Sequence, residues 1–176
     1  MEKIRHKEFL ELYNPIHLQL SNYCRAISGN KDDAKDLLSD TVLNILESFD
    51  RIKDKSAFRS YAFTIASNLH KKKIRKLKFR AEFNDTESNC IVDHSQNQEY
   101  FTDFELIYKL ILSLPDRIAE TIILFHISDL SIQEIKRIQG GSISGVKQRL
   151  KRGREKLMSQ IKEPDQLKLA VLFLTL

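Results

Sequence analysis

The stretch Leu130-Ser131-Ile132-Gln133-Glu134-Ile135-Lys136-Arg137-Ile138-Gln139-Gly140-Gly141-Ser142-Ile143-Ser144-Gly145-Val146-Lys147-Gln148-Arg149-Leu150-Lys151-Arg152 sets out two helices joined by a tight turn. Ser131-x-x-Glu134 is a capping box, in which the hydroxyl satisfies a free N–H of the first turn and the carboxylate reaches back to the cap. A short helix through Ile138 follows, and Gly140-Gly141 ends it. Ser142 can cap a second, longer helix that turns Val146, Leu150 and Leu157 inward. Lys147, Gln148, Lys151 and Arg152 are then left together on the outward side. A short capped helix, a glycine turn and a basic helix form a helix-turn-helix signature, whose second helix fits the DNA major groove. Lys and Arg pair with guanine edges or phosphates, and Gln with adenine. Arg149, Arg154 and Lys156 flank that group and suit phosphates. The competing reading of the same residues is a solvated basic surface helix.

Moving toward the N-terminus, Leu106, Ile107, Leu110, Ile111 and Leu114 mark one apolar face, which Pro115 breaks. Ile118, Ala119, Ile122, Ile123 and Ile127 mark the next, and Asp129-Leu130 is a turn. Ala81 to Asp103 shows no period and holds six acids with no Lys or Arg, the character of a linker. Ahead of it, Phe9, Leu12, Tyr13, Ile16, Leu20, Tyr23, Cys24 and Ile27 share a helical face interrupted by Pro15, where a kink or a restart is expected. Gly29 stops that helix and Asn30 starts another, with Asp33 at its third position. Ala34, Leu37, Leu38, Thr41, Val42, Ile45, Leu46 and Phe49 give its buried stripe. Asp50 to Lys55 is a polar loop, and Ser56 is expected to cap a helix buried through Phe58, Tyr61, Ala62, Ile65, Ala66 and Leu69.

The resulting fold class is all-α: two small helical domains joined by a flexible linker. The expected boundaries are 1–80, a linker 81–103, 104–163, and an apolar tail 164–176. Composition agrees, with 41% hydrophobic and 30% charged residues, only 5 Gly and 3 Pro, and no period-two alternation. The net charge is +5, and the positive charge is grouped. Lys71 to Arg80 holds seven basic residues in ten, and Lys147 to Lys156 holds six with one acid. Two basic blocks around an acidic spacer point to two surfaces for a polyanion.

Other chemistries lack support. Cys24 and Cys90 cannot build a disulfide framework, and reduced thiols fit the cytoplasm. Cys90-x-x-x-His94 has no second ligand pair, so no metal is expected. No phosphate loop or nucleophile elbow occurs, so the chain reads as a non-enzyme without cofactors. Met1 to Glu11 is charged throughout and unlike a signal peptide, and the apolar run Leu167 to Leu176 is too short to span a bilayer. A cytoplasmic protein with no membrane insertion is expected.

The segment Leu114-Pro115, Leu124, Leu130-Ser131-x-x-Glu134-Ile135 and Val146-Lys147-x-Arg149-Leu150-x-Arg152-x-Arg154-x-x-Leu157 resembles sigma region four. Asp33-Ala34-Lys35-Asp36-Leu37-Leu38 and Phe58-Arg59-Ser60-Tyr61-Ala62-Phe63-Thr64-Ile65-Ala66-Ser67-Asn68-Leu69 resemble sigma region two. From Phe9 to Ile161 the order and the linker are similar to the extracytoplasmic-function (ECF) class of bacterial RNA polymerase sigma factors. The resemblance implies docking of Asp33, Asp36, Leu37, Ser39, Asp40 and Leu43 on the clamp helices of core RNA polymerase. It implies capture of a flipped base of the −10 element by the Asp50–Lys55 loop. Lys55, Arg59, Asn68, Lys71, Lys72 and Arg75 would contact −10 DNA, and Lys147, Gln148, Arg149, Lys151 and Arg152 would read the −35 element. It also implies an anti-sigma partner.

Four departures from the family pattern stand out. Tyr61 replaces the usual Trp, and Lys136 stands where a small residue packs between the two helices. Gly145 and Gly153 replace Thr and Ala in the recognition helix, each weakening it by about 1 kcal/mol relative to Ala. Gly145, Gly153 and Lys136 leave open a degenerate sigma-like decoy that binds a partner without initiating. The other alternative is a helix-turn-helix regulator acting without polymerase, which would need neither the Asp33 to Leu43 helix nor the Phe58 to Arg75 helix.

Overall fold

The computed structural model describes residues 2–83 and 103–161, with side chains from 6 to 80 and from 108 to 161. Of the linker expected at 81–103, residues 81–83 instead continue a helix and Asp103 begins one, while 84–102, the Cys90/His94 pair and the apolar tail lie outside the described residues. Every regular element among them is helical, and packing divides the chain between residues 96 and 97 into two compact units. None of the described helices is long and apolar enough to cross a membrane.

The first unit holds α1 (Glu2–Ser28), α2 (Lys31–Ser48) and α3 (Phe58–Phe83). Helix α1 continues through Pro15 rather than restarting there, and the proline ring lies on its exposed side. Asn30 caps α2 by accepting the Asp33 N–H at 2.8 Å. The helices meet over an aromatic core. Phe9, Phe49 and Phe58 pack edge to face, with centroids 5.6, 6.2 and 6.1 Å apart, and Tyr23 lies 5.2 Å from Phe63. Such pairs add about 0.5–1.5 kcal/mol each beyond their burial. Tyr61 donates to Ser48 Oγ at 2.8 Å, tying α3 to the last turn of α2.

The second unit holds α4 (Asp103–Leu112), α5 (Asp116–Ile122), α6 (Ile132–Gln139) and α7 (Ile143–Gln160). Helix α5 widens into a π turn over Ile123–Ile127, where the sequence predicts only a continuous helical face. The wider turn lets Ile122, Ile123 and Leu124 all bury, and the Leu130 N–H returns to the Leu124 carbonyl at 3.0 Å. Asp129 takes a left-handed conformation, φ 52°, at the corner. Leu130, Ile135, Val146 and Leu157 then close a core beneath α6 and α7.

Candidate nucleic-acid interfaces

In the second unit the capping box forms as its spacing requires. The Glu134 N–H donates to Ser131 Oγ at 3.3 Å, and the Ser131 N–H donates to Glu134 Oε2 at 2.9 Å. Gly140 and Gly141 have φ of 71° and 89°, a left-handed turn that glycine adopts without strain. Ser142 caps α7 by accepting the Gly145 N–H at 3.0 Å. Val146 and Leu150 are buried, so Lys147, Gln148, Lys151 and Arg152 emerge together on the exposed side. With Ser142, Ser144 and Gly145, the first three line a shallow open depression at the start of α7.

Arg149 is set apart from those four. It is half-buried and donates through Nε to Thr121 Oγ1 at 3.2 Å, while its Nη2 is buried. Burial and the neighbouring Arg117 charge pull its pKa below the usual guanidinium value, partly offset by Glu120. Arg154 is also half-buried, 5.7 Å from the Phe125 ring centroid. Lys156 is exposed.

Two expected weaknesses take a different form. Lys136 does not pack between α6 and α7: Ile135 and Ile138 hold the buried face, and a step of about 100° per residue turns Lys136 out to solvent. Gly153 is buried, and a Cβ there would lie 2.8 Å from Ile122 Cγ1, 2.9 Å from Ile122 Cδ1 and 3.0 Å from Ile118 Cγ2. Glycine therefore lets α7 approach α5 closely. At Gly145 a Cβ would lie 3.3 Å from the capping Ser142 Oγ.

In the first unit the loop is built on the aromatic core. A 3-10 turn over Phe49–Arg51 leaves α2, and a second over Lys55–Ala57 enters α3. Asp54, rather than Ser56, caps that second turn, because its carboxylate accepts the Ser56 N–H at 2.9 Å and the Ser56 hydroxyl at 2.6 Å. Lys55 Nζ sits 3.6 Å from the Phe49 ring centroid and 3.4 Å from Glu8 Oε1, so a core aromatic fixes a loop cation. Arg59 is half-buried at the start of α3. Asn68, Lys71, Lys72 and Arg75 are exposed or nearly so, and the basic block stays helical through its last residue, Arg80.

The α2 surface divides. Asp36, Ser39, Asp40 and Leu43 lie toward solvent, and Leu43 is 56% accessible, a large apolar side chain among polar neighbours. Leu37, expected on the same docking surface, is instead a core residue at 6%, since it shares the stripe of Ala34, Thr41 and Ile45. Asp33 accepts from Lys73 Nζ at 2.6 Å, linking α2 to α3. The Lys73 hydrogen bond, with Asn30 assisting, holds the Asp33 carboxyl below the usual range against the opposing effect of burial. No local spacing signals that pair, because 40 residues separate its members. No group of three or more His, Cys, Asp or Glu among the described residues could hold a metal ion.

Residues 12–80 match the family described as Sigma-70 region 2, and residues 104–157 match Sigma-70, region 4. The chain belongs to the sigma-70 family. It is a sigma factor of the ECF class, the description that two of its relatives carry. It is 29% identical to the ECF RNA polymerase sigma factor SigW of Bacillus subtilis over 168 residues, covering 89% of this chain and 88% of SigW. It is 29% identical to the ECF RNA polymerase sigma factor EcfG of Rhodopseudomonas palustris, covering 78% of this chain and 76% of EcfG. Its fold is similar to the sigma factor RpoE of Bartonella quintana, solved with the anti-sigma factor NepR. There the TM-score is 0.75 at 24% identity, covering 93% of this chain and 98% of RpoE.

Proposed function

We propose that this sigma factor carries core RNA polymerase to promoters by reading two DNA elements, one with each helical unit. The observation that carries this is the pair of exposed polar and basic faces on helices whose opposite sides are locked into separate cores. Lys147, Gln148, Lys151 and Arg152 on α7 would read the −35 element in the major groove, with side chains that suit base edges and phosphates. Asn68, Lys71, Lys72 and Arg75 on α3 would follow −10 DNA, with Arg59 and Lys55 nearer the loop that receives an unstacked base. The acidic α2 face of Asp36, Ser39 and Asp40, with exposed Leu43 at its C-terminal end, would dock on the clamp helices of the largest polymerase subunit. Asp33 would border that face through its pair with Lys73.

In this reading the chain binds and orients, and the bond-forming chemistry belongs to polymerase, so no cofactor or metal is needed. It works in the cytoplasm. The solved structure of RpoE with the anti-sigma factor NepR motivates an anti-sigma partner for this chain as well.

The test is selection of duplexes from a random library by the protein alone and by the protein with core polymerase. Enrichment of paired −35 and −10 motifs only with polymerase supports the proposal. Equally tight, specific selection by the protein alone would favour a stand-alone regulator. Polymerase binding without any enriched motif would favour a decoy.

A further inference from the structure

Three helices of the second unit meet at one buried hydroxyl. Thr121, in α5, is fully buried. Its Oγ1 lies 2.7 Å from the Arg117 carbonyl and 2.8 Å from Gln139 Oε1, sharing one proton between two acceptors, and it accepts from Arg149 Nε at 3.2 Å. Gln139 is the last residue of α6, directly before the Gly140-Gly141 turn. Its Nε2 donates to Glu120 Oε2 at 2.9 Å and to the Arg117 carbonyl at 3.3 Å, and Arg117 Nη2 donates to the Gln139 carbonyl at 2.8 Å. The end of α6 is thus bound on both its side chain and its backbone. One turn further along α7, Gly153 leaves no room for a Cβ against Ile122, the neighbour of Thr121. Two fixed points one turn apart on α7, at residues 149 and 153, set both its roll and its distance from α5.

The basic run 147–152 invites the reading that Arg149 is another phosphate ligand. Its guanidinium is turned the other way, with Nε spent on Thr121 and Nη2 buried. We propose that Arg149 is a positioning residue: with Thr121 and Gln139 it locks the roll of α7, so that Lys147, Gln148, Lys151 and Arg152 face the −35 groove, and it does not itself contact DNA. This rests on the proposed reading of α7. Hydrogen bonds have a preferred direction, so those that converge on the fully buried Thr121 hydroxyl fix the orientation of α7 more sharply than apolar packing alone.

The experiment uses holoenzyme on a selected promoter and on a copy with a scrambled −35 element, across a salt series. The variants are Thr121→Val, Arg149→Gln, Arg149→Lys and the double Thr121→Val/Arg149→Gln, with Lys151→Ala as the phosphate reference. Losing one of these hydrogen bonds should lower the preference for the intact promoter roughly five- to tenfold. That loss is expected in both Thr121→Val and Arg149→Gln, with the salt slope unchanged and the double variant no worse than the poorer single. Arg149→Lys should fail to rescue, because an ammonium keeps the charge but loses the planar fork. The proposal is overturned if Arg149→Gln lowers the salt slope as Lys151→Ala does, Arg149→Lys restores binding and Thr121→Val is neutral. It is also overturned if the variants lose affinity equally on both promoters in step with their unfolded fraction, which is a stability effect alone. Wild-type holoenzyme that ignores the −35 element would overturn the reading of α7 itself, and this inference with it.

Discussion

Replacing Gly153 by Ala separates two opposed effects on the same helix. In an isolated helix the change would stabilise by about 1 kcal/mol, because glycine loses more backbone freedom on folding. Here the new methyl would meet Ile122 Cγ1 at 2.8 Å, Ile122 Cδ1 at 2.9 Å and Ile118 Cγ2 at 3.0 Å. Two of those atoms are γ carbons close to the α5 backbone, so relief requires moving α7 away from α5. Overpacking of this kind costs about 1–3 kcal/mol. The net expectation is a destabilisation of roughly 0–2 kcal/mol, or up to about 16 °C in the melting midpoint for a unit of this size. Adding Ile122→Val removes Cδ1 and leaves Cγ1, so it should relieve part of the clash. Alone that change should cost about 0.5–1.5 kcal/mol. In the double variant the two costs should fall short of their sum by about 0.5 kcal/mol or more. The assay is thermal and urea unfolding of the four proteins of this cycle, followed by a probe in the second unit. A Gly153→Ala protein stabilised by the full propensity gain, with costs that add independently in the double variant, would refute the close-approach argument.

Three further outcomes follow from the same structure. Lys151→Ala with Arg152→Ala should weaken promoter binding by holoenzyme and reduce the magnitude of the log–log salt slope by about 0.9 for each phosphate no longer neutralised; an unchanged slope would mean neither side chain meets a phosphate. Phe49→Ala removes a fully buried ring from the edge-to-face cluster and the platform under Lys55, so it should destabilise the first unit by about 3–5 kcal/mol in urea unfolding, and a cost below about 1 kcal/mol would contradict the packing. Burial pushes the Cys24 thiol up to about 12, so the folded state keeps it protonated while the unfolded state ionises at about 8.5. Stability from this group is therefore complete below about pH 8.5 and lost as pH rises from there toward 12. In a Cys90→Ser background, a thiol reagent should label Cys24 only at the rate of unfolding, and fast labelling of the native protein would contradict its burial.

What is legible in the sequence is whatever the chain encodes over short distances. The Ser131–Glu134 capping box, the Gly140-Gly141 turn and the outward set Lys147, Gln148, Lys151 and Arg152 depend on spacings of three and four, which a sequence displays directly. The π turn at Ile123–Ile127 is hidden because an apolar run reads the same in an α or a π turn; tertiary burial of Ile122, Ile123 and Leu124 selects it. Leu37 is placed correctly in the buried stripe by its period and misplaced only by the resemblance, which assigns a whole stretch to docking while helical phase assigns each residue a side. Arg149 groups with Lys147 and Lys151 by charge, and only its distance to Thr121, 28 residues away, shows where the guanidinium goes. Gly153 reads as a weak point for the same reason: its value lies in Ile118 and Ile122, on another helix.

The most direct test of the two-element account is transcription by core polymerase with this protein on the selected promoters, with RNA 5′ ends mapped at nucleotide resolution. Starts are expected at a fixed distance downstream of a −10 motif, lost when either the −35 or the −10 motif is scrambled and absent with core polymerase alone. Starts that survive scrambling of both motifs, or no starts from a holoenzyme that forms stably, would contradict it.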